Sequence, residues 1–299
     1  MWLYLGLISA VLLGLYDISK KHALNHNAVL PVLFWSTVAS FVPMSLLMAG
    51  TVLAPDWMRG AGCDIPPATR VAHLHYLAKA AIVSTSWVLA YFAMKHLPIS
   101  LSTPIRSSGP VWTLLGALVL FHERPAPMQW LGMATVFGSY YAFSLLGRRE
   151  GVVFHRSKWI FFMFLATMVG SMSTLYDKYL LQQAGYPTLQ VQYWFSFYNV
   201  VLVGLFTAIV WWPKRASYTR LQWRWSIASI GLLLIAADFV YFNAVRDPDS
   251  LIVILSLLRR SSVVVSFTLG AAYFGDLNRR GKAWALCGVL AGVIIILLA

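Results

Sequence analysis

The chain has 299 residues, of which 59% are apolar and only 11% charged, with a formal net charge of +13. A soluble domain carries roughly 25% charged residues to face water, so the excess apolar surface here must face lipid. Most of the Lys and Arg fall in short loops between apolar runs, which suits membrane orientation and anionic headgroups, and no basic-aromatic platform for nucleic acid is present.

A spanning helix needs about 20 mostly apolar residues, and ten such runs follow one another: 2–22, 29–52, 73–95, 98–121, 127–147, 158–182, 187–212, 224–245, 250–274 and 282–298. The first has no basic segment ahead of its apolar stretch and is expected to stay as a span rather than be cleaved. It carries Asp17, Lys20 and Lys21 at i, i+3 and i+4, a spacing that favours mutual neutralisation on one helix face. Lys20 and Lys21 also lie close enough to the span end to snorkel. Between spans 2 and 3 the loop 54–72 has room for a small amphipathic segment. Span 3 carries Lys79 near its start.

Span 4 reads Ser100-Leu101-Ser102-Thr103-Pro104-Ile105-Arg106-Ser107-Ser108-Gly109-Pro110. Two prolines there predict a kinked or unwound segment, and broken backbone at membrane depth is tolerated where it lines a cavity or is buried in protein. A guanidinium among hydroxyls suits bidentate binding of carboxylate or phosphate. Arg106 and Ser107 are therefore candidate binding residues, with pairing to Asp238 or Asp177 as the structural alternative. Span 6 brings Asp177 and Lys178, span 8 brings Asp238, and span 9 holds Arg259-Arg260-Ser261-Ser262 near its middle. Adjacent helical positions point about 100° apart, so one of these two arginines is expected to face a cavity while the other pairs with a carboxylate.

Short matches recur in the same order along the chain. Leu15-Tyr16-Asp17 returns as Leu175-Tyr176-Asp177, Tyr91-Phe92 as Tyr241-Phe242, Arg106-Ser107-Ser108 as Arg260-Ser261-Ser262, and Gly116-Ala117 as Gly270-Ala271. The chain thus divides into halves, 1–149 and 150–299, each with five predicted spans. An odd number forces the second half to enter the membrane from the opposite side, the inverted repeat of secondary transporters. The expected fold is all-α: ten transmembrane helices as two inverted five-helix repeats.

The loops after spans 3, 5, 7 and 9 carry 12 basic residues (Lys95, Arg148, Arg149, Arg156, Lys158, Lys214, Arg215, Arg220, Arg224, Arg279, Arg280 and Lys282). Those after spans 2, 4, 6 and 8 carry Arg59, Arg70, Arg124 and Arg246. The positive-inside rule then puts the link between the halves in the cytoplasm and both termini outside.

Intramembrane ionisable residues are costly and mark function by default. Lys20, Lys21, Lys79, Arg106, Lys178, Arg259 and Arg260 face only Asp17, Asp177 and Asp238, and an anionic substrate would complete the balance. Arg106, Arg259, Arg260 and Lys79, with Ser107 and Ser261, are candidates for binding it. Asp17, Asp177, Asp238, Lys21 and Lys178 are candidates for charge balance or proton coupling. Tyr16, Tyr176, Tyr91 and Tyr241 are candidates to line the cavity, against ordinary helix packing. No metal site, P-loop, nucleophile elbow or dinucleotide fingerprint is present; no cofactor and no enzymatic activity are expected.

Two sets of five spans, the ending Gly116-Ala117-Leu118-Val119-Leu120-Phe121-His122-Glu123 and the glycines 132 and 138 of span 5 resemble the drug/metabolite transporter superfamily, in its EamA-like branch. Gly270-Ala271-Ala272-Tyr273-Phe274-Gly275-Asp276, Gly288 and Gly292 repeat the pattern. The usual Trp-Gly pair of span 1 stands here as Leu13-Gly14, with a basic residue following at Lys21. The resemblance covers nearly the whole chain. It implies a secondary transporter of a small solute; some related proteins move lipid-linked sugars. The expected partners are a small anionic metabolite and membrane lipid, in a monomer or homodimer of a bacterial inner membrane. The alternatives are a flippase for a phosphate-containing lipid carrier, an amino-acid or metabolite exporter, and an intramembrane lipid-modifying enzyme.

Overall fold

The computed structural model describes residues 1–96, 105–106, 108–147, 158–215, 219–262, 264–265, 268 and 279–298. Among them all regular structure is helical. The elements are α1 (Trp2–Leu24), α2 (Val29–Leu53), α3 (Pro55–Gly60), α4 (Arg70–His96), α5 (Gly109–Leu120), α6 (Pro127–Gly147), α7 (Lys158–Lys178), α8 (Thr188–Val210), α9 (Trp225–Arg246), α10 (Ile252–Arg260) and α11 (Arg279–Leu298). The loop 54–72 holds the short helix α3, opened by a proline at its first turn, where a missing N–H costs nothing. Ser107, the loop arginines 148, 149 and 156, and the motif 270–276 lie outside the described residues.

Six segments among the described residues are long and apolar enough to cross a membrane: Trp2–Leu24, Val29–Leu53, Arg70–Ala93, Lys158–Gln183, Thr188–Lys214 and Trp225–Arg246. Their surfaces are inverted relative to a soluble bundle. On α1 the exposed positions Tyr4, Ile8, Val11 and Leu15 follow helical spacing, while Gly6, Ser9, Gly14 and Lys20 are buried. On α7 the large apolar Phe161, Phe164 and Met172 face outward, and Thr167, Ser171, Asp177 and Lys178 face inward.

The principal packing partners are α1 with α9, α4 with α7, and α6 with α11. Helix α2 packs on α8 and α9, α4 also on α8, α5 on α7, and α10 on α1 and α5. Small residues set the closest crossings, as expected where dispersion and interhelical hydrogen bonds replace the hydrophobic effect. A Cβ at Gly231 of α9 would run into Ser36 O and stand 2.6 Å from Ser40 N, so α2 and α9 meet backbone to backbone. Ser40 Oγ then donates to Gly231 O at 2.9 Å. The α6–α11 crossing is equally tight: a Cβ at Gly292 would lie 2.8 Å from Gly132 O.

Two ends of the bundle can be distinguished. At the near end α1 finishes and α9 begins, tied by Arg224 Nη1 donating to His22 O (2.7 Å) and Asn27 Nδ2 donating to Gln222 O (2.6 Å). The His96 ring of α4 stacks on Trp159 of α7 at 3.8 Å between centroids. At the far end α7 finishes in a π-helical turn, Tyr179–Gln183, which extends this helix to the boundary expected for span 6. Gln182 Nε2, in that turn, donates to Val245 O and Asp247 O, both at 2.7 Å.

Candidate functional site

The inward faces of α1, α4, α7, α9 and α10 bring together most of the ionisable residues of the spans. They form three tiers from the far end toward the near end.

The far tier is Lys178 with Glu123. Lys178 Nζ lies 2.6 Å from Glu123 Oε1 and also donates to Ser250 O at 3.1 Å. The two Glu123 oxygens accept the backbone N–H groups of Ile252 (2.8 Å) and Val253 (3.5 Å). The carboxylate thus caps the start of α10, where four backbone donors lack intrahelical acceptors. Glu123 turns inward because His122 takes the left-handed conformation (φ 52°) after α5, and Glu123 N bonds back to Ala117 O at 3.3 Å.

The middle tier holds two ion pairs. Lys79 of α4 pairs with Asp177 of α7, both buried, and its ammonium lies 4.4 Å from the centre of the Phe195 ring. Arg259 Nη2 pairs with Asp238 Oδ1 at 2.7 Å, and its guanidinium covers the Tyr241 ring at 4.1 Å. The pairs lie within electrostatic range of each other, and their charges sum to zero. Lys79 was expected near a span end; α4 begins at Arg70, earlier than expected, which carries Lys79 into the bundle.

The near tier gathers Tyr16, Asp17 and Lys20 of α1, Tyr91 of α4, Arg106 and Arg260. Lys20 is 8% exposed and lies within electrostatic reach of Asp17, Arg106 and Arg260. Its ammonium stands 4.4 Å from the centre of the Tyr91 ring and 5.4 Å from that of Tyr16. Arg260 rests on the first turn of α5, where a Cβ at Gly109 would come within 3.1 Å of its Nη2. Arg259 and Arg260, adjacent on α10, thus belong to different tiers.

Other candidates sit elsewhere. Tyr176 hydrogen-bonds His75 Nδ1 at 2.6 Å and stacks on Tyr179 at 5.7 Å, in an aromatic cluster at the far end. Ser261 Oγ donates to Leu258 O of its own helix at 2.6 Å. Lys21 lies on an exposed face of α1. Glu123 was not among the expected site residues, and Lys20, counted among the ionisable residues of the spans, was expected to be neutralised by Asp17 or to snorkel. The signal for Lys20 was Tyr16 one turn before it, on the same helix face; for Glu123 only an acidic residue closing an apolar run. No group of three or more metal-ligating side chains occurs among the described residues.

Residues 1–145 match the EamA-like transporter family. Curated relatives are the probable 4-amino-4-deoxy-L-arabinose-phosphoundecaprenol flippase subunit ArnE of Escherichia coli (strain K12 / DH10B) and that of Shigella boydii serotype 18, each 31% identical over 58 residues. The match covers 19% of this chain, which spans 52% of those relatives' length. One solved crystal structure has the same fold, with a TM-score of 0.73 and 15% identity over 99% of this chain and 96% of the other. With its apolar helices, the chain is a multi-pass membrane protein.

Proposed function

We propose that this protein, whose residues 1–145 match the EamA-like transporter family, is a ten-helix secondary transporter that carries a small organic anion by alternating access. The halves 1–149 and 150–299 are inverted repeats. Helix packing supports this reading. Exchanging the halves turns the α1–α9 contact into α7–α4, the α2–α9 contact into α8–α4, and the α5–α7 contact into α10–α1. The contacts α6–α11, α2–α8 and α5–α10 map onto themselves. Two halves related in this way can rock about a shared midplane site.

The cations gathered in the near tier support the substrate assignment. Lys79–Asp177 and Arg259–Asp238 neutralise one another, whereas Lys20 lies within electrostatic reach of two arginines, Arg106 and Arg260, as well as of Asp17. Arg106 and Arg260 hold the anionic group, with Tyr16 and Tyr91 beside it. Arg259 and Lys79 position the site by holding Asp238 and Asp177. Lys158, Lys214, Arg215 and Arg224 lie at the near end, which faces the cytoplasm of a bacterial inner membrane, with both termini outside.

A second reading follows from the ArnE relatives, whose printed function is that of a flippase subunit for a lipid-linked sugar. In it the bound anion is the phosphate of a lipid carrier. Thermal melts of the purified protein with phosphorylated, carboxylated, zwitterionic, cationic and neutral compounds test the assignment, since a ligand raises the melting temperature by mass action. Stabilisation by anions that disappears in folded Arg260→Gln supports it. Stabilisation by cationic or neutral compounds alone, equal in the variant, rejects it.

A further inference from the structure

The tyrosines of the second half do not repeat the arrangement of the first. Tyr16 and Tyr91 share a hydrogen bond through their hydroxyls. Their counterparts in sequence, Tyr176 and Tyr241, are separated, because Tyr176 turns to His75 Nδ1 at 2.6 Å. Tyr241 stays fully buried on α9, and among the described residues its hydroxyl has no hydrogen-bond partner. The Arg259 guanidinium lies over the ring at 4.1 Å, but a guanidinium only donates, so it cannot receive the hydroxyl hydrogen. Asp177 and Asp238 are within electrostatic range, yet each is engaged with its own cation. A phenylalanine would fill the same volume without the cost of burying an unmet hydroxyl. Packing alone does not account for Tyr241.

We propose that the Tyr241 hydroxyl is a substrate ligand, donating to an uncharged oxygen of the cargo, a hydroxyl or a carbonyl. This rests on the anion-transport reading above. The surroundings of Tyr241 select an uncharged acceptor: the two carboxylates nearby repel an anionic group, and the cations nearby are already held by those carboxylates. The anionic group itself belongs to the near tier. One small molecule can reach both tiers, since Asp238 of the middle tier lies within electrostatic range of Tyr16 in the near tier. Arg259 and Arg260, one in each tier, are also neighbours on α10. The cargo is then an oxygenated anion, a hydroxylated phosphate ester or a hydroxy acid, rather than an alkyl one.

Binding to the purified full-length protein tests this with two pairs of probes, sn-glycerol 3-phosphate against propyl phosphate and malate against succinate. Members of a pair share their charge and differ in hydroxyls. Wild type should prefer the hydroxylated member of at least one pair, and which pair binds identifies the anionic group as phosphate or carboxylate. Tyr241→Phe keeps the ring that Arg259 covers. It should weaken binding of the hydroxylated member roughly 3- to 10-fold, the worth of one neutral hydrogen bond, and leave the other member unchanged. That double difference isolates a direct contact. Tyr176→Phe, which removes a hydroxyl outside the tiers, should keep the wild-type preference. Without ligand, Tyr241→Phe should melt at the wild-type temperature or higher, because it removes a buried hydroxyl that has no partner.

A preference that survives in Tyr241→Phe, or equal wild-type affinity within both pairs, overturns the inference and leaves the transport reading standing. Equal losses for both members of a pair show that the hydroxyl shapes the site without touching the cargo oxygen, and overturn it too. A ligand-free Tyr241→Phe that melts lower or fails to fold makes the hydroxyl structural, with the same consequence. Failure of wild type to bind any anion overturns the reading on which the inference rests.

Discussion

Lys178 reaches 55 residues back along the chain to Glu123, and that carboxylate in turn caps the first turn of α10. One acidic side chain therefore holds together the end of α5, the end of α7 and the start of α10. It joins the first half of the chain to the second at the far end.

Replacing Glu123 with Gln should cost about 3–5 kcal/mol, the usual penalty for stranding one partner of a buried pair. The expected readout is a lower melting temperature in detergent. Lys178→Met should cost a similar amount. The double variant should be more stable than the sum of the two losses, because it no longer buries an uncompensated charge. Strict additivity would mean the two side chains do not interact.

Arg259 and Arg260 should separate in a single experiment. Arg259→Gln leaves Asp238 without its pair, so its melting temperature should fall even without ligand. Arg260→Gln should lose the response to anions while Arg259→Gln, if folded, keeps it. A reversed pattern would exchange the roles assigned to these neighbours.

Gly231→Ala should destabilise the protein by about 1–3 kcal/mol, the range for overpacking. The added methyl meets backbone atoms of Ser36 and Ser40, which cannot turn aside as a flexible side chain would. A melting temperature equal to wild type would show that α2 and α9 have room to separate.

The two cysteines report orientation. Cys63 follows α3 in the far-end loop and is partly exposed, and Cys287 sits on the outer surface of α11. A membrane-impermeant maleimide should label Cys63 in right-side-out vesicles and not in sealed inverted ones. Cys287, facing lipid, should stay unlabelled in both. Labelling of Cys63 only in inverted vesicles would reverse the proposed topology.

Helix order was legible because apolar runs of membrane length between Pro, Asn and Asp leave little ambiguity, and α1, α2 and α6 begin where the pattern says. The π-helical turn after Lys178 was not legible as such. Gln182 in that turn bonds a loop more than 60 residues away, a contact that no local propensity encodes. The charged residues of the interior were visible through their cost in lipid, but their pairing was not. Asp17 and Lys20 have the spacing of a helical ion pair, yet the Tyr91 ring arriving from α4 competes for the ammonium. Lys79 likewise finds Asp177, 98 positions away. Partner choice is decided by which helices touch, and that depends on small residues scattered through the whole chain.

The α6–α11 crossing at Gly132 and Gly292 places these two helices principally against each other, apart from the charged tiers. They work as a buckle: one side of the clasp lies early in the chain and the other at its end, and neither supplies a residue of the charged tiers. Substitutions there should change how long the folded protein survives without changing what it selects. Durability and selectivity are then separately adjustable, which leaves the chemistry of the interior free to diverge while the frame is kept.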